Sequence, residues 1–263
     1  MSRVMVIGVA LLAWAAAAPV ASGSILYDST ATSFSDWETN RPDVFYWDGA
    51  HQAYHYAITD GDSDYAFVTV PYQSGQSFRL QFDVLPTSTD WAGNFRFGMW
   101  DSSMREEGAS NIRAMYHLDD NGHHVICSGY YVGGSGAWTP GTHADYADGE
   151  WYHNEIVYDA QAGKLAFAYT RASDGLTLAG TAAGLGQFAD LDRLAMTSIG
   201  DSGYPGRTAT GFVRNVKLES PAESVSAVPE PSSLLLLLAG VPYALGTMRR
   251  GRRAVPRTSS APE

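Results

Sequence analysis

The side chains that could do chemistry in this chain fall in a few short clusters. Asp60-Gly61-Asp62-Ser63-Asp64 sets carboxylates at alternate positions of a loop, where they can converge on a hard cation such as Ca2+. The first half follows the pattern of a calcium-binding loop. The second half departs from it, because Tyr65 stands where a glycine is needed and Pro71 where a bidentate glutamate is needed. The competing reading is a solvated acidic turn. Saccharide binding needs something different: an aromatic face to stack on sugar C–H groups, with polar neighbours for the hydroxyls. Trp91 with Asn94, and Tyr131 and Trp138 around the glycines of 133–136, supply that combination in loop-like stretches. For these aromatics, packing into the structure is the competing reading.

Catalytic arrangements are harder to find. Glycoside hydrolysis needs two carboxylates flanking one bond. Glu106 and Glu107 are adjacent and Glu150 and Glu155 have odd separation, so on a strand each pair points to opposite faces. No Gly-x-Ser-x-Gly elbow occurs. His123, His124 and Cys127 are too scattered about a strand to form a metal cluster, and no second His pair lies nearby. The expectation is a protein without catalytic residues.

Composition narrows the partners. The 263 residues include 17 Lys and Arg against 28 Asp and Glu, a formal net charge of −11, so a sequence-independent grip on nucleic acid phosphates is excluded. Charged residues are only 17%, below the usual quarter, while Gly (27), Tyr (15) and Trp (7) are plentiful, which fits an extracellular β-protein. The single Cys127 permits no intramolecular disulfide.

The elements that must position these residues read as strands. Phe78, Leu80, Phe82 and Val84 alternate strictly with polar residues, as do Phe95, Phe97 and Met99 with Arg96 and Gly98. Further runs are 44–47, 54–58, 66–70, 112–118, 124–127, 151–158, 165–170, 194–199 and 212–218, separated by Asp/Gly turns such as 119–122, 159–163, 174–175 and 201–203. The best helical candidate, 186–191, is a turn or two. About a dozen short strands without a repeat or internal linker predict an all-β chain: one two-sheet antiparallel β-sandwich over 24–220. Residues 221–228 form a Ser/Pro/Ala linker.

The two ends read as addresses. Arg3, the apolar run 4–20 and the small residues 21–24 make a signal peptide over 1–23, with a retained anchor as the alternative. At the other end, Pro229-Glu230-Pro231 precedes a short apolar stretch, 234–248, which with Ser232 and Ser233 reaches about 17 residues, the lower limit for a transmembrane helix. Arg249, Arg250, Arg252 and Arg253 follow, where the positive-inside rule wants the cytoplasmic flank. This tripartite tail, 229–253, resembles the PEP-CTERM sorting signal of Gram-negative-type bacteria, with 254–263 as a disordered extension beyond it. The resemblance implies an exosortase as processing partner, transient insertion in the inner membrane, and delivery to the outer cell surface or extracellular matrix. Taking away residues 1–23 and 229–263 removes six arginines and two glutamates, leaving 11 basic and 26 acidic side chains, a net of −15.

A second resemblance covers most of the central domain. Phe78-x-Leu80-x-Phe82-Asp83-Val84 and Gly93-x-Phe95-x-Phe97-Gly98-Met99-Trp100-Asp101 look like paired core strands of concanavalin A-like lectin/glucanase sandwiches. Glu150-Trp151-Tyr152-His153, Tyr158-Asp159 and Lys164-Leu165 are similar to a laminin G-like hairpin of the same superfamily, and 211–218 to its final strand. The resemblance implies a jelly-roll sandwich of the lectin/glucanase kind, and with the loop aromatics and no carboxylate pair the expectation is a protein that binds extracellular polysaccharide without cleaving it. A structural surface protein without a ligand, and a glycoside hydrolase, are the alternatives.

Overall fold

The computed structural model describes residues 23–29, 35–59, 64–89, 95–103, 109–118, 123–132, 135–138, 144–185, 188, 191–198 and 206–220. The chain divides into two compact units, Met1–Ala222 and Glu223–Glu263, and every described residue belongs to the first. The expected signal peptide, linker, sorting signal and tail lie outside the described residues, apart from Gly23.

Among the described residues there are strands and turns and no helix. Sheet A contains β1 (Ser24–Asp28), β3 (Tyr46–Asp48), β4 (Ala53–Thr59), β6 (Phe78–Thr89), β12 (Tyr152–Asp159), β13 (Lys164–Arg171), β14 (Thr177–Ala183) and β16 (Thr208–Ser220). Their order is β14-β13-β12-β6-β16-β4-β3, with β1 pairing the second half of β16. Sheet B contains β2 (Glu38–Thr39), β5 (Tyr65–Thr69), β7 (Phe95–Trp100), β8 (Asn111–Leu118), β9 (His124–Val132), β10 (Ser135–Trp138), β11 (Ala144–Asp145) and β15 (Arg193–Thr197). It runs β10-β9-β8-β7-β15-β5-β2, with β11 on β9, and every pairing in both sheets is antiparallel. The fold is a two-sheet β-sandwich.

Alternation builds it. On β6, Phe78, Leu80, Phe82 and Val84 are buried while Arg79, Gln81 and Asp83 face outwards. On β7, Phe95, Phe97 and Met99 meet them from sheet B. Aromatic rings join the sheets: Tyr56 of β4 stacks on Phe95 of β7 at 3.8 Å, and Phe82 lies 4.4 Å from Phe97. Trp37 and Trp100 are buried, and Trp47 and Trp151 are partly buried. One polar side chain sits inside without penalty, because Asn154 accepts from the Tyr116 hydroxyl across the interlayer (2.8 Å) and donates to the Tyr152 carbonyl (2.9 Å).

Several boundaries differ from the sequence reading. Val44 and Phe45 are buried in a turn before β3 instead of lying on it. Tyr130 and Tyr131 belong to β9, and β10 pairs back onto it antiparallel from Ser135, so Tyr131 and Gly136 lie in paired strands and not in an open loop. Strands β1, β2, β10, β11 and β14 go beyond the sequence expectation. The turn at 159–163 holds as read: Asp159 accepts from the Ala162 amide (2.9 Å) and Gly163 adopts φ 58°. Of the helical candidate 186–191 only Phe188 and Leu191 are described, and both are buried.

Candidate functional site

Two surfaces gather functional side chains, one on the outward side of each sheet. On sheet B, register sets Asn111 of β8 opposite Tyr131 of β9, and Tyr131 opposite Gly136 of β10. A Cβ at Gly136 would stand 2.6 Å from the Tyr131 ring, so glycine there lets the ring lie over the hairpin. Trp138 is opposite Gly129, which is itself opposite Arg113. Gly98 flanks Arg113 on β7, so in this row Arg113 has no Cβ on either side. Arg113 donates to Asn111 Oδ1, and the Asn111 amide donates to the Ala109 carbonyl (2.7 Å). The hairpin thus carries both Tyr131 and Trp138, with Asn111 and Arg113 on the adjoining strand. Trp91 and Asn94 lie outside the described residues.

Below this patch the face closes. Cys127 is buried against Met115 and Val125, and its sulfur is 3.5 Å from His117 Nε2. Burial pushes the thiol up to about 12, with Arg113 and Arg96 pulling against it, so it is no nucleophile. His124 instead faces Asp148 at 3.5 Å and Tyr146.

Asp64 is buried, and its Oδ1 accepts from Arg41 at 3.2 Å. Its backbone carbonyl accepts from the Thr197 hydroxyl and the Ser198 amide, tying the start of β5 to the end of β15. Asp60 and Asp62 lie outside the described residues. Among the described residues no group of three His, Cys, Asp or Glu side chains is placed to hold a metal ion. Glu155 pairs with Arg79 at 2.7 Å on the outward side of sheet A, and Glu150 precedes β12. Glu106 and Glu107 lie outside the described residues.

The surface that sequence reasoning missed crosses sheet A. Register aligns Tyr46 of β3, His55 of β4, Phe212 of β16 and Leu85 of β6, all outward, and Trp151 at the start of β12 packs on Leu85 and Phe212. Tyr46 is 40% exposed and stacks on His55 at 4.4 Å. The β3–β4 turn places His51 over Phe212 at 3.9 Å: Asp48 Oδ1 accepts from the amides of Ala50 and His51 and from the His51 ring, while Gln52 takes φ 51° to re-enter β4. Burial holds His55 below its ordinary pKa, so at neutral pH its ring is uncharged.

Beside this row runs a polar one. Asp83 of β6 lies opposite both Arg214 of β16 and His153 of β12. A bulge between Arg214 and Lys217, with Asn215 at φ 53°, brings the Asn215 amide to 2.6 Å from Asp83 Oδ2. His153 Nδ1 is 2.8 Å from Asp83 Oδ1, and Arg214 lies 3.6 Å from Oδ2 while covering the Trp151 ring at 3.8 Å. Burial acts to raise the Asp83 pKa, but the hydrogen bonds from His153 and Asn215 and the charges of His153 and Arg214 outweigh it and hold it below 3.8. The hydrogen bond to Asp83 lifts His153 above 6.5 against the effect of its partial burial. Nothing in the local sequence announces this site, because it depends on pairing between strands far apart in the chain.

No family model and no curated protein matches the chain. Among solved structures, the CBM2 module of the evolved Dit of Lactobacillus casei BL23 phage J-1 is 12% identical. The match covers 77% of this chain and 98% of that one, with a TM-score of 0.52. The likeness is one of fold. The carbohydrate binding module CBM66 from Bacillus subtilis (13% identical, 70% of this chain and 96% of that one) gives a TM-score of 0.44. Basic winged bean lectin (10% identical, 75% and 95%) gives 0.47.

Proposed function

We propose that this is an exported, non-catalytic, lectin-like β-sandwich that binds extracellular polysaccharide and is sorted by an exosortase through its C-terminal tail. The observation that carries the binding reading is the hairpin patch on sheet B. It combines one aromatic ring held over a glycine, Tyr131, with the guanidinium of Arg113 on the adjoining strand, which the buried Asn111 amide positions. Such a patch meets the requirement of a sugar for stacking on one side and hydrogen bonds on the other. Support for the absence of catalysis comes from Glu155, which is engaged by Arg79, and from the raised thiol of Cys127. The export and sorting readings rest on the sequence of the two ends.

Affinity electrophoresis of the full-length protein through gels containing a panel of soluble polysaccharides tests the binding. Retardation by at least one is expected, weakened about tenfold in apparent affinity, or about 1.4 kcal/mol, by Tyr131→Ala. Unchanged mobility throughout the panel would remove the reading. Reducing-sugar release from the same panel would replace it with a hydrolase.

A further inference from the structure

Nothing in the proposed binding patch uses the outward side of sheet A, yet that side carries an ordered row of aromatic and apolar side chains, exposed at Tyr46 and at His51 above it, half-buried at His55 and Trp151, and buried at Phe212 and Leu85. The row Tyr46–His55–Phe212–Leu85–Trp151 runs across four strands to the residue that precedes β12, a span of about 19 Å at the usual strand spacing. That is too long for one sugar ring and suits a chain. The row is one residue wide, so it is too narrow for the broad apolar centre of a protein interface. Polar groups border it on both sides. Asp48, Arg214, Asp83 and His153 lie along one margin, and Thr87 and Thr210, whose hydroxyls are 3.0 Å apart, along the other.

The charges that border this row are matched internally. Arg79 pairs with Glu155, Lys217 with Glu219 at 2.6 Å, His51 with Asp48, and Asp83 with His153 and Arg214. A charged ligand would have to compete with these pairs. Hydroxyl groups can add to their remaining donors and acceptors without displacing them. The occupant indicated is therefore an uncharged polymer with apolar ring faces and hydroxyl edges.

We propose that the outward face of sheet A is a second saccharide-binding surface, which takes a neutral polysaccharide chain laid across the strands, so that one domain holds two chains at once. Stacking falls to Tyr46 and His51, and hydrogen bonding to His153, Asn215, Arg214 and the threonine margin. The inference rests on the glycan-binding reading and adds cross-linking to it. A domain with sites on opposite sheets ties polymer chains together, whereas a single patch only coats them.

The test uses the full-length protein with soluble β-glucan, galactomannan and dextran, scoring binding by affinity electrophoresis and cross-linking by light scattering. For a polymer that binds, scattering should rise to a maximum near matched site concentrations and fall when either component is in excess. Tyr46→Ala and, separately, His51→Ala should keep the sheet B interaction but abolish that maximum. Tyr131→Ala should abolish the maximum too, yet leave residual binding through sheet A about tenfold weaker than that of the parent protein. Thermal melts establish that each variant is folded. Scattering unchanged in both folded sheet A variants, or complete loss of binding in folded Tyr131→Ala, would overturn the two-site inference while leaving one-site binding intact. Failure of the parent protein to bind any polysaccharide would remove both.

Discussion

At the scale of single residues, Asp83 organises the exposed face of sheet A. Its carboxylate collects His153, Asn215 and Arg214 from two different strands. Arg79 and Glu155 are the other charged groups that act on His153, the first opposing its protonation and the second favouring it. The two shifts within the pair define a pH window. His153 is raised, so its contribution to stability is complete below 6.5 and disappears as pH climbs through its higher folded-state value. Asp83 is lowered, so its contribution is complete above 3.8 and disappears as pH falls through its lower folded-state value. The thermal midpoint of the parent protein relative to Asp83→Asn should therefore show its largest advantage between these two pH values and narrow on both sides. A difference that stays flat from pH 4 to 9 would show that the pair adds nothing to folding beyond what the amide supplies.

At the scale of elements, the tightest constraint is on β7, where strand meets strand without room for a side chain. Gly98 faces β8 so closely that a Cβ there would sit 2.0 Å from the Ile112 carbonyl oxygen and 2.7 Å from the Arg113 Cα. Both are backbone atoms in the middle of a sheet, so neither can swing away. Gly98→Ala should destabilise the protein by about 3 kcal/mol, the upper part of the usual overpacking range, measured by urea unfolding. A cost under about 0.5 kcal/mol would mean that β7 and β8 can separate locally. The alternation of Phe95, Phe97 and Met99 made β7 legible in the sequence, and the same holds for β6, where one face is buried along most of its length. Strand β14 was not legible. Thr177–Ala183 is a sheet edge of small residues with alternating exposed and half-buried positions, and it has no strong apolar stripe to mark it. The glycines of 133–136 suggest a flexible loop from sequence alone, whereas Gly136 makes room for Tyr131 inside a paired strand. The row on sheet A was invisible for a different reason. Its members come from β3, β4, β16, β6 and the approach to β12, and only the order of strands makes them neighbours.

At the scale of the whole molecule, a domain that holds polysaccharide acts only where it is delivered, so the two ends matter as much as the sandwich. Without residues 1–23 and 229–263 the chain carries a net charge of −15, which opposes self-association. With the tail in place, the apolar stretch 234–248 and the arginines after it would keep the chain at the inner membrane. On the proposed sorting reading, release requires a cut at or near Pro229-Glu230-Pro231. In the native host, mass spectrometry of the surface and extracellular fractions should find a chain that begins near Ser24 and lacks the arginine cluster. Substituting Pro229→Ala, Glu230→Ala and Pro231→Ala together should leave the tail attached and move the protein to the membrane fraction. The sandwich would stay folded, because its last strand ends at Ser220, ahead of the motif. If the triple variant were released and trimmed like the parent, the Pro-Glu-Pro motif would not be the sorting signal, and if the parent itself kept its tail in the membrane fraction, the tail would be a plain membrane tether. Such a tether would leave both sheet faces presented to polymer outside the inner membrane but confine any cross-linking to chains that reach it.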